Sequence, residues 1–403
     1  MGACAGVDWA SERHDALVQD EAGRTLAELT VGHDDRGLAE LGDTLVALGV
    51  ERVALERPDG LLVERLLDRG LEVLAIHPNQ VKAARPRFRV AGGKSDRFDA
   101  FVLCELARTD SPRFRALRPA SDETKALKAL TRAREDLVAT RVSLANQLRA
   151  ELERFWSGAA RVFAEVDSPI CLAFLERYPS PADARGLGEK RLQGFLDRHG
   201  YCGRRAPCEL IERLRDGPQG LAAELEVEAR RAVVLALVAG LRPLVEQIKQ
   251  LSAQIAGAVR AHPDGQIFLS LFRDPKSTVT AARLVAELGD CRERYPSAEA
   301  MSADAGMSPV AIESGKRRVA TFRRGCDHRL RAAVACLADS TRHHHPWARA
   351  VYRRARARGC DHPHAIRILG RAWLRVVWRM WQDRRPYDPA RHGNFRRLNP
   401  VEG

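Results

Sequence analysis

The first 110 residues alternate strand and helix patterns in an order that few folds accommodate. Strand patterns come first, in three segments: Ala3 to Trp9, His14 to Asp20 and Thr25 to Val31. A helix pattern, the short strand Val53 to Leu55, a second helix and the strand Val73 to Ile76 follow. Helices are then expected from about Asn79 and from about Ser95. Three strands in a meander followed by strand–helix–strand units predict an α/β domain over residues 1–115.

Residues 116–264 are predicted to be a helical middle region. A long helix begins near Ser121, and a second runs from about Leu221 to Val259. The second carries apolar residues four and three apart, at Leu237, Leu241, Leu244, Ile248, Leu251 and Ile255. This spacing predicts a coiled coil or an antiparallel helical hairpin, with an ordinary bundle helix as the alternative because Pro243 interrupts the pattern. Short helices and loops are expected between the two long helices.

Residues 265–390 are predicted to be a third, mainly helical and very basic domain, followed by a loose tail at 391–403. Within it, three tryptophans alternate with arginines between Arg371 and Trp381. We expect the tryptophans to lie in the core and the arginines outside it. The histidines at 343–345 are expected to be solvated, because three adjacent helical residues cannot all face one metal ion.

The positive charge of the chain favours a polyanionic partner. The net charge is +13, and counting along the sequence gives 8 lysines among the 66 basic residues and therefore 58 arginines. Guanidinium groups bind phosphate with two parallel hydrogen bonds, which suits nucleic acid. A GC-rich genome explains the ratio of arginine to lysine equally well, but it does not explain the charge excess. Aromatic residues make up 6% of the chain, which argues against base stacking as its main role.

The chain has no segment that suits a membrane and no pattern that suits disulfides. Its longest apolar run, Ala232 to Leu241, is too short to cross a bilayer, and the N-terminus lacks the features of a secretory leader. Nine cysteines are scattered without a C-x-x-C pair. We therefore expect a cytoplasmic protein with free, buried thiols and no membrane partner.

Four acids occupy positions that metal-dependent phosphodiester chemistry requires. The predicted strand order is also that of an RNase H-like fold. Asp8 lies inside the apolar first strand, where a charge is costly unless it is paired or metal-bound. Glu56 ends the strand at 53–55, and Asp96 and Asp99 lie three apart on one helix face. Each acid alone has an ordinary explanation, a solvated strand end or a first-turn helix acid; the four in this strand order favour a Mg²⁺ site.

Ser314 lies in a turn-like stretch beside three cations, Lys316, Arg317 and Arg318. Such a hydroxyl group can attack a phosphate while the cations stabilise the developing charge. Taken by itself, the segment is better explained as a surface turn that contacts phosphate or nothing.

Several segments together resemble the DEDD-type, RuvC-like transposases of the insertion sequence 110 family. In the first domain these are Gly6-Val7-Asp8-Trp9, Leu55 to Gly60, His77 to Lys82 and Lys94-Ser95-Asp96-Arg97-Phe98-Asp99-Ala100. In the last domain they are Ala281 to Asp290, Ala305 to Val310, Ser314-Gly315-Lys316 and Leu330 to Ala333. The matching motifs extend over about three-quarters of the chain, from the first strand to near Arg358. One departure is Arg273 to Ser277, which lacks the glycine that the family often has in a hairpin there.

The resemblance implies a mechanism and a set of partners. Asp8, Glu56, Asp96 and Asp99 would form the acidic tetrad that holds Mg²⁺, and Ser314 would be the nucleophile that forms a phosphoserine link to DNA. The two sites would combine across subunits of a homo-oligomer, a dimer or a tetramer. A structured guide RNA would direct recognition of donor and target DNA. We expect Lys94, Arg97, Lys316, Arg317 and Arg318 to contact nucleic acid.

The sequence therefore predicts an RNase H-like catalytic domain, a helical middle and a mainly α C-terminal transposase domain that together exchange DNA strands. Two alternatives stay open. One is a RuvC-like structure-specific endonuclease in which metal-activated water attacks and Ser314 is idle. The other is a non-catalytic protein that binds RNA and DNA. A covalent protein–DNA adduct that depends on Ser314 separates the first hypothesis from both alternatives.

Overall fold

The computed structural model describes residues 2–89, 95–218, 220, 223–274, 277–315 and 317–392, with only the backbone for residues 317 and 318. The chain divides into two compact units, Met1–Ser121 and Asp122–Gly403. No helix among the described residues is long and apolar enough to cross a membrane.

The first unit is built on one mixed sheet of five strands. The strands are β1 (Ala3–Trp9), β2 (Arg13–Gln19), β3 (Thr25–Gly32), β4 (Val50–Leu55) and β5 (Glu72–Ala75). Their order across the sheet is β3-β2-β1-β4-β5, with β1, β2 and β3 antiparallel and with β4 and β5 parallel to β1. The five strands fall where the sequence places them, within a few residues at each end. The order is consistent with an RNase H-like fold.

Helices cover both faces of this sheet because its central strands alternate apolar residues toward two cores. The helices are α1 (Asp35–Ala47), α2 (Leu61–Asp68), α3 (Pro78–Phe88) and α4 (Asp96–Thr109), and a 3-10 turn spans Ser111–Arg113. Ala5, Val7 and Val53 pack in one core with leucines of α1 and α2. Cys4 and Ala54 pack in the other core with residues of α3 and α4. In this part of β1 and β4, even-numbered residues such as Cys4 and Ala54 therefore point their side chains toward α4.

The second unit is helical and contains two long antiparallel helices. Its first six helices are α5 (Asp122–Phe155), α6 (Ala159–Val162), α7 (Pro169–Arg177), α8 (Glu189–Arg198), α9 (Pro207–Arg215) and α10 (Glu224–Ala261). Arg134 donates to Ser252 at one end of the long pair, and Glu151 accepts from Arg230 at the other, so α5 and α10 run in opposite directions. On α10 the row Leu241, Ile248 and Ile255 is buried. The antiparallel hairpin is thereby confirmed, whereas supercoiling of the pair stays a prediction.

Nine further elements lie among the described residues of the second unit. They are α11 (Gly265–Leu269), α12 (Thr278–Leu288), a 3-10 turn (Arg292–Arg294), α13 (Ala298–Asp304), β6 (Val310–Ser314), β7 (Arg317–Thr321), α14 (His328–His344), α15 (Pro346–Ala357) and α16 (His362–Gln382), and the irregular segment 383–392 follows them. The β6–β7 hairpin was not predicted, because only five residues form each strand and the side chains described on them are exposed or half-buried. Trp373 and Trp381 are fully buried, which confirms their place in the core.

Two smaller expectations were wrong. All nine cysteines are free, but Cys202 and Cys336 are exposed, because one lies in a loop and the other on the outer side of α14. His345 is not solvated: it is half-buried, accepts from the amide of Ala348 at the start of α15, and contacts the ring of Trp373. The family's glycine-bearing hairpin corresponds here to Arg273–Ser277, of which residues 275 and 276 lie outside the described residues.

Candidate active site

Asp8 and Glu56 lie at the carboxyl ends of the two central strands, just beyond the part where these strands pair. Gly6 of β1 pairs with Ala54 of β4 in parallel register, and two further residues along each strand lead to Asp8 and Glu56. Side chains alternate between the two faces of a strand, so Asp8 and Glu56, which are even-numbered like Ala54, lie on the sheet face that α4 covers. Both are half-buried. The strand order alone therefore brings the first two predicted acids together.

The first turn of α4 lies over this end of the sheet because β1 has a glycine where the helix crosses it. A Cβ atom on Gly6 would lie 2.1 Å from the Ala100 carbonyl oxygen and 2.2 Å from the Cys104 nitrogen. The Cys104 thiol donates to the Cys4 carbonyl at 3.2 Å, so α4 runs opposite to β1. Its N-terminus, which carries Asp96 and Asp99, thus points toward the end of β1 that carries Asp8. Close helix–strand packing is a recurring use of glycine.

The other two predicted acids differ sharply from each other. Asp96 is exposed in the first turn of α4, and Ser95 caps that helix by accepting from the Phe98 amide at 3.2 Å. Asp99 is only 2% exposed, and both of its oxygens accept from Arg85 of α3, at 2.7 and 2.8 Å. Within the described ranges, no three His, Cys, Asp or Glu side chains lie close enough to hold one metal ion. Asp99 is therefore held by a cation of the protein itself.

A fifth acid, Asp15, was missed by the sequence analysis. It lies directly opposite Asp8 in the antiparallel β1–β2 register and is 8% exposed. The Thr30 hydroxyl donates to it at 2.5 Å. Asp15 also lines a small cavity of about 30 Å³ together with Arg97 and Ala100 of α4. An acid within the apolar segment 14–19 was a sign that could have found it, since the same argument identified Asp8.

A cluster of aromatic side chains packs against the same strand ends on the opposite face of the sheet. His14 and His33 share a hydrogen bond of 2.8 Å, and the Arg57 guanidinium lies 4.2 Å from the centre of the Trp9 ring. Burial, and then the charge of His33, lowers the pKa of His14 to about 4, so His14 is neutral near pH 7. Because Trp9 follows Asp8 and Arg57 follows Glu56, this cation–π contact ties the two acid-bearing backbones together.

Ser314 is exposed at the tip of the β6–β7 hairpin. It is the last residue of β6 and pairs with Arg317, the first residue of β7. Gly315 has a φ of +54°, which a type I′ or similar hairpin turn requires and glycine adopts without strain. Lys316 lies outside the described residues, as do the side chains of Arg317 and Arg318, and so does Lys94. Arg97 is 76% exposed on α4.

The hairpin is anchored to the second unit at its base. Phe322 follows β7, and the guanidinium groups of Arg331 and Arg367 lie 4.6 and 4.8 Å from the centre of its ring. Arg323 donates to the carbonyl oxygen of Ser308 at 3.2 Å. The ring contacts join the β7 end of the hairpin to α14 and α16, and the hydrogen bond joins its two ends to each other. The hydroxyl group of Ser314 therefore lies at the tip of a hairpin that is anchored at its base.

Comparisons with known proteins agree on one family. Residues 5–157 match the model of the IS110-type DEDD transposase domain, described as "Transposase", and residues 276–353 match "Transposase IS116/IS110/IS902 family". The chain is 32% identical to the mini-circle putative transposase for IS117 of Streptomyces coelicolor, over 96% of this chain and 95% of that protein. It is 36% identical to the putative transposase y4uE of Sinorhizobium fredii, over 48% of this chain and 56% of that protein.

A third relative is an uncharacterized 44.8 kDa protein of the insertion element IS116 from Streptomyces clavuligerus, 28% identical over 96% of each chain. The first two of these relatives are named as putative transposases, and the two matched regions contain all five residues expected to be catalytic. The full-length match at 32% identity decides the family. The chain belongs to the IS116/IS110/IS902 family of transposases, enzymes that act on DNA.

Proposed function

We propose that the chain cuts and rejoins DNA strands through a covalent link to Ser314, with the acids of the first unit holding Mg²⁺ at the scissile phosphate. One observation carries the proposal: β1 and β4, which pair in parallel, carry Asp8 and Glu56 at one end of the sheet, and the first turn of α4 carries Asp96 and Asp99 toward the same end. The exposed position of Ser314 supports its assigned role, since a buried hydroxyl group could not reach DNA.

The chemistry is a transesterification at phosphorus. The Ser314 Oγ atom attacks the phosphate, and the bond between phosphorus and one deoxyribose oxygen breaks. The serine loses its proton, and the leaving oxygen gains one. The phosphoserine keeps the energy of the broken bond, so a hydroxyl group of another DNA strand can attack it, restore the phosphodiester and release the serine. Strands are thereby exchanged without an external energy source.

Carboxylate oxygens are the ligands that Mg²⁺ prefers, so the donor set has the right chemistry for this ion. Asp8, Glu56, Asp96 and Asp99 would hold it, and the bound ion would neutralise charge that develops on the phosphate. To hold the ion, Asp99 would have to release Arg85, because both of its oxygens accept from that guanidinium. We infer that Arg85 keeps the carboxylate neutralised until metal and DNA arrive.

We further propose that an RNA of the element guides the enzyme and that more than one subunit supplies the complete site. The net charge of +13 supports a nucleic-acid partner. Arg97 is exposed on the helix that carries Asp96, where it can contact a phosphate beside the acids. Lys94, Lys316, Arg317 and Arg318 are proposed for the same role from their positions in the sequence.

The decisive experiment traps the covalent intermediate on DNA. Wild type, Ser314→Ala and Ser308→Ala are incubated with Mg²⁺, guide RNA and a nicked suicide substrate, and protein–DNA adducts are resolved on a denaturing gel. Ser308 is the matched control, because it lies in the same region and only its backbone hydrogen-bonds with described residues: its carbonyl accepts from Arg323 and its amide donates to Ser302. We expect adducts with wild type and Ser308→Ala, and none with Ser314→Ala.

The outcomes distinguish the alternatives. Cleavage that survives Ser314→Ala and never forms an adduct would identify a nuclease in which metal-activated water attacks. Nucleic-acid binding without cleavage by any variant would identify a binding protein that keeps the fold. Either result overturns the proposal.

A further inference from the structure

A cavity of about 840 Å³ lies at the C-terminal end of α16, remote in sequence from the acids and on a different element from Ser314. One wall is a single face of α16, because its residues there recur three and four apart: Ala372, Arg375, Val376, Arg379, Met380 and Asp383. The volume falls within the range of pockets that bind small organic molecules, about 300–1,000 Å³. The cavity is therefore large enough for a nucleotide.

The opposite wall is the segment that follows α16, and it is held firmly in place. Arg384 has a φ of +52°, the one positive value among the described non-glycine residues, and it reverses the chain. Tyr387 then anchors the segment: its amide donates to the Ser270 hydroxyl at 2.7 Å, and its own hydroxyl hydrogen-bonds with His345 at 2.9 Å and His392 at 3.0 Å. The cavity thus has two defined walls.

Aromatic rings form part of the lining. Trp347, Tyr387 and His392 all border the cavity, and the Trp347 and His392 rings lie 4.3 Å apart between centres. Tyr387 and His392 are half-buried, so each offers part of its surface to the cavity. Burial lowers the pKa of His392, which therefore stays uncharged near pH 7. Flat uncharged rings in a confined space are the surfaces on which nucleobases stack.

Four arginines surround the rings: Arg375, Arg379, Arg385 and Arg391. Three are paired with carboxylates, Arg379 with Asp383 at 2.8 Å, Arg391 with Asp388 at 3.6 Å and Arg375 with Glu299 at 3.5 Å. Arg385 has no ion pair or side-chain hydrogen bond with any described residue. Asp383 and Asp388 are the acids of the lining, so the lining carries two positive charges in excess.

This combination of groups fits a nucleotide. Guanidinium groups bind phosphate, rings stack on a base, and carboxylates accept hydrogen bonds from the amino groups of cytosine, adenine or guanine. An aliphatic ligand would desolvate Arg385, which has no carboxylate partner among the described residues, without giving it a hydrogen-bond acceptor. A simple anion would not use the rings.

We propose that this cavity takes one unpaired nucleotide of a nucleic-acid strand, with its base against Tyr387 and His392 and its phosphates on Arg385 and Arg391. The inference rests on the proposed function, since strand exchange exposes unpaired nucleotides. Guide RNA and displaced DNA share this chemistry, and so does a free nucleotide. The experiment has one arm for each of these sources.

The first measurement locates the base. Single-stranded RNA and DNA of about 10 nucleotides, each with one 5-iodouracil, are bound to the full-length protein in EDTA, irradiated, and the cross-linked residue is identified by mass spectrometry. Free iodo-labelled nucleoside monophosphate forms the third arm. We expect cross-links to Tyr387, His392 or Trp347 with at least one of the two strands, and the strand that gives them is the source. Cross-links only elsewhere overturn the proposal, and so does equal binding of the free nucleotide.

The second measurement separates this site from general charge attraction. Arg385→Gln with Arg391→Gln removes two cavity arginines, while Arg353→Gln with Arg354→Gln removes two exposed arginines of α15 outside the lining. By fluorescence anisotropy we expect the cavity pair to lose about tenfold in affinity and the control pair less than about threefold. Equal losses in the two pairs overturn the proposal.

A third variant tests stacking. Tyr387→Phe keeps the ring and Tyr387→Leu removes it, so only the second is expected to lose the cross-link; if both lose it equally, the ring does not stack on the base.

Because EDTA prevents metal-dependent cleavage, these results are independent of the adduct assay. Adducts on Ser314 without cavity cross-links overturn this inference alone, and cavity cross-links without adducts overturn only the proposed chemistry.

Discussion

The two halves of the proposed catalytic machinery are built in opposite ways. Asp8 and Glu56 lie half-buried at the ends of the two central strands of a five-stranded sheet, and Asp96 and Asp99 lie in the first turn of α4, the helix that contacts β1 at Gly6. Ser314 lies on a two-stranded hairpin, exposed at its tip, and the anchors described above are at the hairpin base. A metal site needs ligands held within fractions of an ångström, which a packed sheet provides. A nucleophile that must reach DNA has to extend from the protein surface, and the tip of a hairpin does so.

The largest expected effect is the loss of DNA cleavage when acids of the first unit are changed. Asp8→Asn and Glu56→Gln keep the shape of each side chain and remove its charge. We expect DNA cleavage to fall on the order of 10³-fold, because the ligands for the cation are lost, while folding measured by circular dichroism is unchanged. Asp15→Asn is the matched control, since Asp15 lies opposite Asp8 and is outside the predicted tetrad.

We expect less than a tenfold loss for Asp15→Asn. If this variant loses as much activity as Asp8→Asn, then Asp15 belongs to the ion site and the predicted tetrad is incomplete.

A second test concerns the buried ion pair between Asp99 and Arg85. Arg85→Leu leaves a carboxylate that is 2% exposed without its cation, and we expect the first unit to lose about 3 kcal/mol of stability. Hydrogen exchange of the α4 amides under increasing denaturant measures this loss. Because a bound cation would replace the guanidinium, added Mg²⁺ should restore part of the stability.

The matched control for that variant lies on the same helix. Arg87 pairs with Asp110 at 3.4 Å but is 59% exposed, so Arg87→Leu should cost less than about 1 kcal/mol. Stability of Arg85→Leu that does not respond to Mg²⁺ would count against Asp99 as a metal ligand.

A third, smaller effect tests the contact between α4 and β1. Gly6→Ala places a methyl group 2.1 Å from the Ala100 carbonyl, so the helix must move, and we expect a loss of about 2 kcal/mol. In Gly194→Ala, on α8, the added Cβ meets no atom within 4 Å, so this variant should be neutral or slightly more stable. Denaturant unfolding monitored by hydrogen exchange compares the two. Equal stability of both variants would show that α4 does not depend on this contact.

The smallest effect is a dependence on pH. The pKa of His14 is lowered to about 4 in the folded chain, from 6.5, by burial and then by the charge of His33. The unfolded chain therefore binds this proton more readily, so the stability is fully present above pH 6.5 and is lost as the pH falls toward 4. Between about pH 7.5 and pH 5.5 we expect a loss of about 1 kcal/mol from this residue.

His14→Leu should flatten the pH dependence of the first unit, measured by denaturant midpoints at each pH. The second unit contains a counterpart, His345, whose pKa is also lowered to about 4 by burial and then by His392 and His344. The pH dependence of hydrogen exchange in the second unit should therefore persist in the His14→Leu variant. A pH response of the first unit that His14→Leu leaves unchanged would assign the effect to other groups.

Much of the fold could be predicted because its signals are local. Short runs of strand-forming residues indicated β1 to β5, and leucines at helical spacing indicated α1 and the two long helices. The acids Asp8 and Glu56 were recognisable because a charge inside or directly after an apolar strand needs an explanation. The β6–β7 hairpin was missed, because Ile312 and Val319 are both largely exposed and give no buried face to detect.

The state of the acids could not be predicted from their spacing. Asp96 and Asp99 share one helix face in the sequence pattern, yet one is exposed and the other is buried against Arg85. The guanidinium comes from α3, fourteen residues earlier in the chain. Likewise, the cavity at the end of α16 exists because Arg384 reverses the chain and Tyr387 binds Ser270 and His345, far away in sequence.

The sequence by itself determined the order of most strands and helices, the residues able to bind a hard cation, and the positive charge that suits nucleic acid. Periodicity and side-chain chemistry can be read from neighbouring residues, and the net charge is a sum over the residues of the chain. Only the tertiary structure decided which carboxylate is already paired, which acid lies opposite Asp8, and that Ser314 projects from a hairpin. Those outcomes depend on contacts between residues distant in the chain, and it is packing that selects among the many partners each polar group could have.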